Sequence, residues 1–135
     1  MGTQKKGLTW AGWTLTALIG LLLMFSGTMK LMKPPEVTAE FVNRLGYPED
    51  LLVAIGIVEL CCAILYLIPQ TSILGAVLLT GYLGGAIATH VRIHDNFFGP
   101  VVIGVLVWLA LYLRDPRLRA LLPLRRPLTP AESNR

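Results

Sequence analysis

Leu51-Leu-Val-Ala-Ile-Gly-Ile-Val-Glu59-Leu-Cys-Cys-Ala-Ile-Leu-Tyr-Leu-Ile68 decides the fold: an apolar run of membrane-span length, broken by one carboxylate. On insertion scales a carboxylate at the centre of a span costs roughly 2.5–3.5 kcal/mol, so such a group faces other helices or a polar cavity rather than lipid. The run therefore predicts a helix packed in a membrane bundle, with a polar site at Glu59.

Three further apolar segments accompany it. With about 51–68 as the second, they fall at about 10–29, 72–89 and 97–113. At 1.5 Å per residue each covers roughly 25–30 Å, close to the hydrocarbon thickness. Composition agrees. The 135 residues are 54% hydrophobic and 15% charged, with mean hydropathy +0.63, against about 25% charged in a soluble domain. The predicted fold class is an all-α membrane protein: a four-span antiparallel bundle in one domain over 1–126, with a disordered polar tail at 127–135. Trp10 and Trp13 anchor one membrane side with Trp108 and Tyr112, and Phe97 and Phe98 anchor the other. The first run is too long for a cleaved signal peptide, and no small-x-small site follows it.

The connections refine this. Pro69-Gln70 makes a tight hairpin between the second and third spans. Between the first and second, Pro34-Pro35 can open a short amphipathic helix. Glu36 favours its start and Arg44 its end, and Gly46-Tyr47-Pro48 stops it. Its stripe of Val37, Phe41 and Leu45 suits the bundle mouth or the headgroup layer. The net charge of +4 reads as topology, not nucleic-acid binding. Lys5, Lys6, Arg114, Arg117, Arg119, Arg125, Arg126 and Arg135 lie on one side, against Lys30, Lys33, Arg44 and Arg92 on the other. Both termini are thus expected to be cytoplasmic, with the basic tail after Arg114 against the anionic inner leaflet.

Counting depth along the spans groups the polar residues. Glu59 lies about 12 Å into the second span, level with Gly81 and Tyr82 of the third, so Tyr82 is placed to donate to it. Gly56, Glu59, Cys62 and Tyr66 share a face. Gly81, Gly84, Gly85 and Ala88 form a flat strip expected to seat a neighbouring helix. Ser26, Lys30, His90 and Arg92 close the same end of the bundle. Each residue has a plainer reading beside the functional one. Glu59 is either a structural carboxyl locking register or a ligand- and proton-handling group. Lys30 is a snorkelling anchor or a partner within the polar group. His90 is an interfacial histidine or a proton-exchanging group. Arg92 is a headgroup anchor or an anion-binding group, and His94 and Asp95 are loop residues. Cys61 and Cys62 are adjacent, form no C-x-x-C pair, and read as small packing residues. The two histidines share one loop region, which does not suit a bis-histidine haem across the bundle, and the residue set suits neither a di-iron carboxylate, iron–sulfur nor zinc site. An electron carrier would have to be diffusible, such as a quinone, or belong to a partner.

The stretch from Leu67 to Arg92, with Gly75, Gly81, Tyr82, Gly84, Gly85, His90 and Arg92, resembles the DoxX-like family of small membrane proteins. So do Ser26-Gly-Thr-Met-Lys30-Leu, Gly46-Tyr47-Pro48, Glu59, and Trp108 through Leu118 with the Arg-Asp-x-Arg-Leu-Arg turn. The resemblance covers about residues 10–126. It implies a four-span bundle in a bacterial inner membrane, and an association of DoxX and DoxD relatives with thiosulfate–quinone oxidoreduction and membrane redox complexes. It carries over a polar pocket of Lys30, Glu59, Tyr82, His90 and Arg92 and no family-wide catalytic assignment; Glu59 and His90 are the candidate catalytic groups, as acid and base, of the isomerase reading below. Three functions stay open: a small subunit of a quinone-linked oxidoreductase system with a redox partner subunit, a non-enzymatic scaffold or assembly subunit, and a binder or isomerase of a lipid or small apolar molecule. A homo-oligomer is compatible with each.

Overall fold

The computed structural model describes residues 2–124, and all regular structure among them is helical. Helix α1 spans Gly2–Met32. The short α2, Pro35–Ala39, runs on into a wider π-type turn over Glu40–Arg44. Then come α3 (Leu51–Leu67), a single 3-10 turn (Pro69–Thr71), α4 (Ser72–Arg92), α5 (Phe98–Arg114) and α6 (Pro116–Leu121). The 127–135 tail and the arginines from 125 onward lie outside the described residues. Two segments are long and apolar enough to cross a membrane by length and composition: Lys6–Met32 and Pro69–Arg92. The apolar helices α3 and α5 have 17 residues each.

The helix ends follow from local chemistry. Before Pro69, Ile68 takes an extended conformation and stops α3, as expected of a residue preceding proline. The carbonyls left over at that end are then satisfied by the next turn: Thr71 donates to Leu65 O at 2.8 Å and Ser72 to Tyr66 O at 2.9 Å. The chain reverses at once, and α4 packs beside α3. After α2, Gly46 adopts φ +76, a left-handed conformation that glycine takes at little steric cost. The start of α6 is capped by Asp115, whose side chain accepts from Arg117 N at 2.9 Å.

The four long helices form a ring of contacts, in which α1 touches α3 and α5, and α4 touches α3 and α5. The apolar core fills the half of the ring nearer α6. Ile19, Leu23, Ala63, Tyr66, Ala76, Leu79, Val107, Ala110 and Leu111 are buried there, and Leu118 of α6 folds back onto them. Tyr66 is fully buried, and its hydroxyl donates to Val107 O at 2.9 Å. Close approach at this end is made by glycine. A Cβ on Gly12 would fall 2.8 Å from Ala110 O, and one on Gly75 would run into the backbone of Tyr66. The guanidinium of Arg114 lies 4.1 Å over the Trp13 ring and donates to Ser72 Oγ at 2.9 Å.

Candidate functional site

Helix α3 buries the face bearing Leu52, Gly56, Glu59, Cys62 and Tyr66. Glu59 thus points into the bundle, and its side chain is 3% exposed. Its Oε2 accepts from Lys30 Nζ at 2.6 Å and from Tyr82 OH at 2.9 Å. Lys30 also donates to Ser26 Oγ, one turn earlier on α1, at 2.8 Å. The lysine therefore turns inward rather than snorkelling. It reaches Glu59 because Gly27 and Gly56 bring α1 and α3 together: a Cβ on Gly56 would lie 2.9 Å from Lys30 Cβ and 3.0 Å from Gly27 O. A buried carboxylate needs such a partner, since alone it would carry the full desolvation cost.

Above this pair, toward α2, lies a cavity of about 760 Å³. Lys30, Ser26 and Tyr82 form its polar base, and Glu59 sits directly behind them. Leu22, Phe25 and Met29 of α1 and Ile55 of α3 are apolar walls. The α4 wall holds Gly81, Gly85, Ala86, Thr89 and His90, and the roof is made by Val37, Glu40, Phe41, Leu45 and Tyr47. No residue of α5 lines it. The roof is tied down at several points. Phe41 stacks on Tyr47 with ring centroids 5.0 Å apart. Thr89 donates to Gly85 O at 2.9 Å, which leaves Tyr47 OH as the donor in its 2.6 Å bond to Thr89 Oγ1. Arg44 pairs with Glu40 and Asp95.

The residues expected at this site divide into two groups. Lys30, Glu59 and Tyr82 are brought together, and His90 lines the same cavity. His90 Nδ1 lies 2.7 Å from Ala86 O. A carbonyl only accepts, so Nδ1 carries the proton, and in the neutral ring Nε2 is then an acceptor. Arg92 is not on the cavity wall. It donates to Leu45 O and lies 5.9 Å over the Tyr47 ring, where it fastens the loop after α2. The glycine strip also differs from expectation. Cβ atoms on Gly81, Gly84 and Gly85 would meet nothing within 4 Å, and Ala88 is exposed. Within this chain the strip seats no helix. Gly81 and Gly85 instead leave room for the cavity. The close contacts are made by Gly12, Gly20, Gly27, Gly56 and Gly75. The spacing of Gly12, Gly20 and Gly27 along α1, in steps near two helical turns, was the signal for a packing stripe. Tyr47, Thr89 and Glu40 were also not anticipated as cavity residues. Only the run Gly46-Tyr47-Pro48 hinted at the first.

The long apolar helices, with a charge pair buried between them, fit a membrane protein. The model of the DoxX-like family matches residues 14–113, and the chain belongs to that family. Neither the curated proteins nor the solved structures gave a match.

Proposed function

We propose that the chain forms a four-span antiparallel bundle in a bacterial inner membrane, with both termini cytoplasmic. In this reading the cavity is an outward-facing pocket that receives the head of a small amphipathic molecule. A quinone is the head group the residues suit best, and the protein acts as a small subunit of a quinone-linked oxidoreductase system. The observation that carries the reading is the base of the cavity: a buried carboxylate holding a lysine and a tyrosine at the wall of a mostly apolar chamber. Small-molecule sites have this character, mostly apolar walls with a few placed polar groups.

Lys30 has three N–H groups. Two are used on Ser26 and Glu59, which leaves one to donate to a quinone carbonyl. Reduction of a quinone needs two electrons and two protons. The electrons come from a redox partner subunit and the two protons from the outer aqueous phase, with Glu59 and Lys30 as the relay to the head group.

The test is native mass spectrometry of protein released gently from membranes, comparing wild type with Glu59→Gln. A quinone or lipid bound to wild type and absent from the variant supports the site. A bare chain in both, with unchanged folding, overturns it. An oligomer or partner lost from the variant, with no small molecule in either, points to a scaffold instead.

A further inference from the structure

The cavity has a base, a roof, a back wall on α3 and two side walls, but its front is open. The ring places α5 between α1 and α4, yet α5 contributes nothing to the lining. It packs on α1 near Gly12 and on α4 near Thr80, where Trp108 Nε1 donates to Thr80 Oγ1 at 2.8 Å. On α4 this contact continues to Leu83, which faces Gly104 of α5, but the faces of α1 and α4 that line the cavity lie outside it. Leu22 and Phe25 of α1 are 51% and 67% exposed although both line the cavity. Across from them, Gly81 and Gly85 are exposed and have empty space where a side chain would stand. The roof, by contrast, is held to α4 and its following loop by Tyr47, Arg92 and Arg44.

We infer that the cavity is reached sideways, from within the bilayer, through a slot between Leu22 and Phe25 on α1 and Gly81 and Gly85 on α4, and that its ligand is a bilayer-dissolved amphiphile whose apolar tail lies in that slot. This rests on the reading of the cavity as a ligand site and adds the route by which the molecule enters and the place of its tail. The polarity is graded to match. The head, with an acceptor oxygen, meets the remaining N–H of Lys30, for which no partner exists among the described residues. Leu22 lies eight residues before Lys30 on the same helix, about 12 Å along its axis. A tail leaving the head in that direction runs past Phe25 and Leu22 into surroundings as apolar as itself. A freely water-soluble substrate would gain nothing from such a slot and would meet the pinned roof.

Gly84 supplies the control. It sits on the same helix, is exposed, and also has open space at Cβ, but it does not line the cavity. Leucine at 81 or 85 fills the slot, and leucine at 84 does not. A Cβ at each of the three meets nothing within 4 Å, so all are expected to fold, which melting curves verify. Wild type and the Gly81→Leu, Gly85→Leu, Gly84→Leu and Tyr82→Phe variants are placed in nanodiscs of phosphatidylethanolamine and phosphatidylglycerol. Native mass spectrometry then follows two probes: a decyl-benzoquinone and the same benzoquinone without its chain. Wild type and Gly84→Leu should retain the decyl probe. Gly81→Leu and Gly85→Leu should lose it by about tenfold, with a smaller loss for the tail-less head.

Equal retention of the decyl probe by wild type and both slot variants overturns the sideways route. The site reading then stands on its own if Tyr82→Phe weakens both probes. Retention of a phospholipid in place of either quinone, lost in Gly81→Leu, upholds the route and removes the quinone. A wild-type protein that holds neither quinone nor phospholipid overturns both. A dimer that Gly81→Leu abolishes, with no small molecule in the slot, also overturns the inference, because the slot is then an interface between copies.

Discussion

Helix α4 carries glycines with opposite uses along its length. At Gly75 it rests on the backbone of Tyr66, so close that no Cβ fits. At Gly81 and Gly85, on the same helix, a Cβ would meet nothing within 4 Å. The first glycine exists to let two helices touch, and the others keep a space between them. The same division runs through the whole bundle. The α6 end is solid, with Tyr66, Ala76, Val107 and Ala110 fully buried. The α2 end is hollow, and its mostly apolar chamber has the Lys30–Glu59 pair at its base. One region is built for packing, while the other holds a charge pair against an empty volume.

The sharpest way to break this comparison is to ask whether the hollow end is soft. Lys30→Met leaves Glu59 buried without its cation. Removing one partner of a buried pair costs about 3–5 kcal/mol, so unfolding in detergent should begin at much lower temperature or denaturant. The double variant Lys30→Met with Glu59→Met should recover most of that loss, because no unpaired charge remains. If the single variant is no less stable than wild type, the pair carries no structural weight and the hollow end is held by its roof alone.

At the solid end, Gly75→Ala forces a methyl against the Tyr66 backbone, which has no rotamer with which to give way. Overpacking typically costs about 1–3 kcal/mol, and a clash with backbone belongs at the upper end. Tyr66→Phe is milder. It keeps the ring and removes only the donor to Val107 O, for about 1 kcal/mol, read as a small drop in melting temperature. A large effect would mean that this bond, rather than the packing around it, joins α3 to α5.

Much of this contrast could be read from the sequence, but not its sign at each glycine. The period of Gly56, Glu59, Cys62 and Tyr66 marks the buried face of α3, because a helix repeats every 3.6 residues whatever surrounds it. Depth counting places Tyr82 level with Glu59 for the same reason. Those are properties of one helix. Whether Lys30 turns in or out depends on Gly27 and Gly56 bringing another helix within reach. Whether Gly81 closes or opens a gap depends on where α5 leans. Arg92 is claimed by the carbonyl of Leu45, which a left-handed Gly46 turns toward it. A glycine announces only that a neighbour can come close. Its own residue type does not say whether one does.

Gly81→Ala is therefore the smallest effect and the finest probe of the comparison. Replacing glycine by alanine inside a helix contributes roughly 0.5–1 kcal/mol from backbone entropy alone. That gain acts at both residues 75 and 81, since both lie within α4. At residue 75 the clash should overwhelm it. At residue 81 nothing opposes it, so Gly81→Ala should melt slightly higher than wild type while Gly75→Ala melts lower. Equal destabilisation by the two would mean that the slot closes on a neighbour in solution, and the distinction between a solid and a hollow end would fail at the position where it is drawn most narrowly.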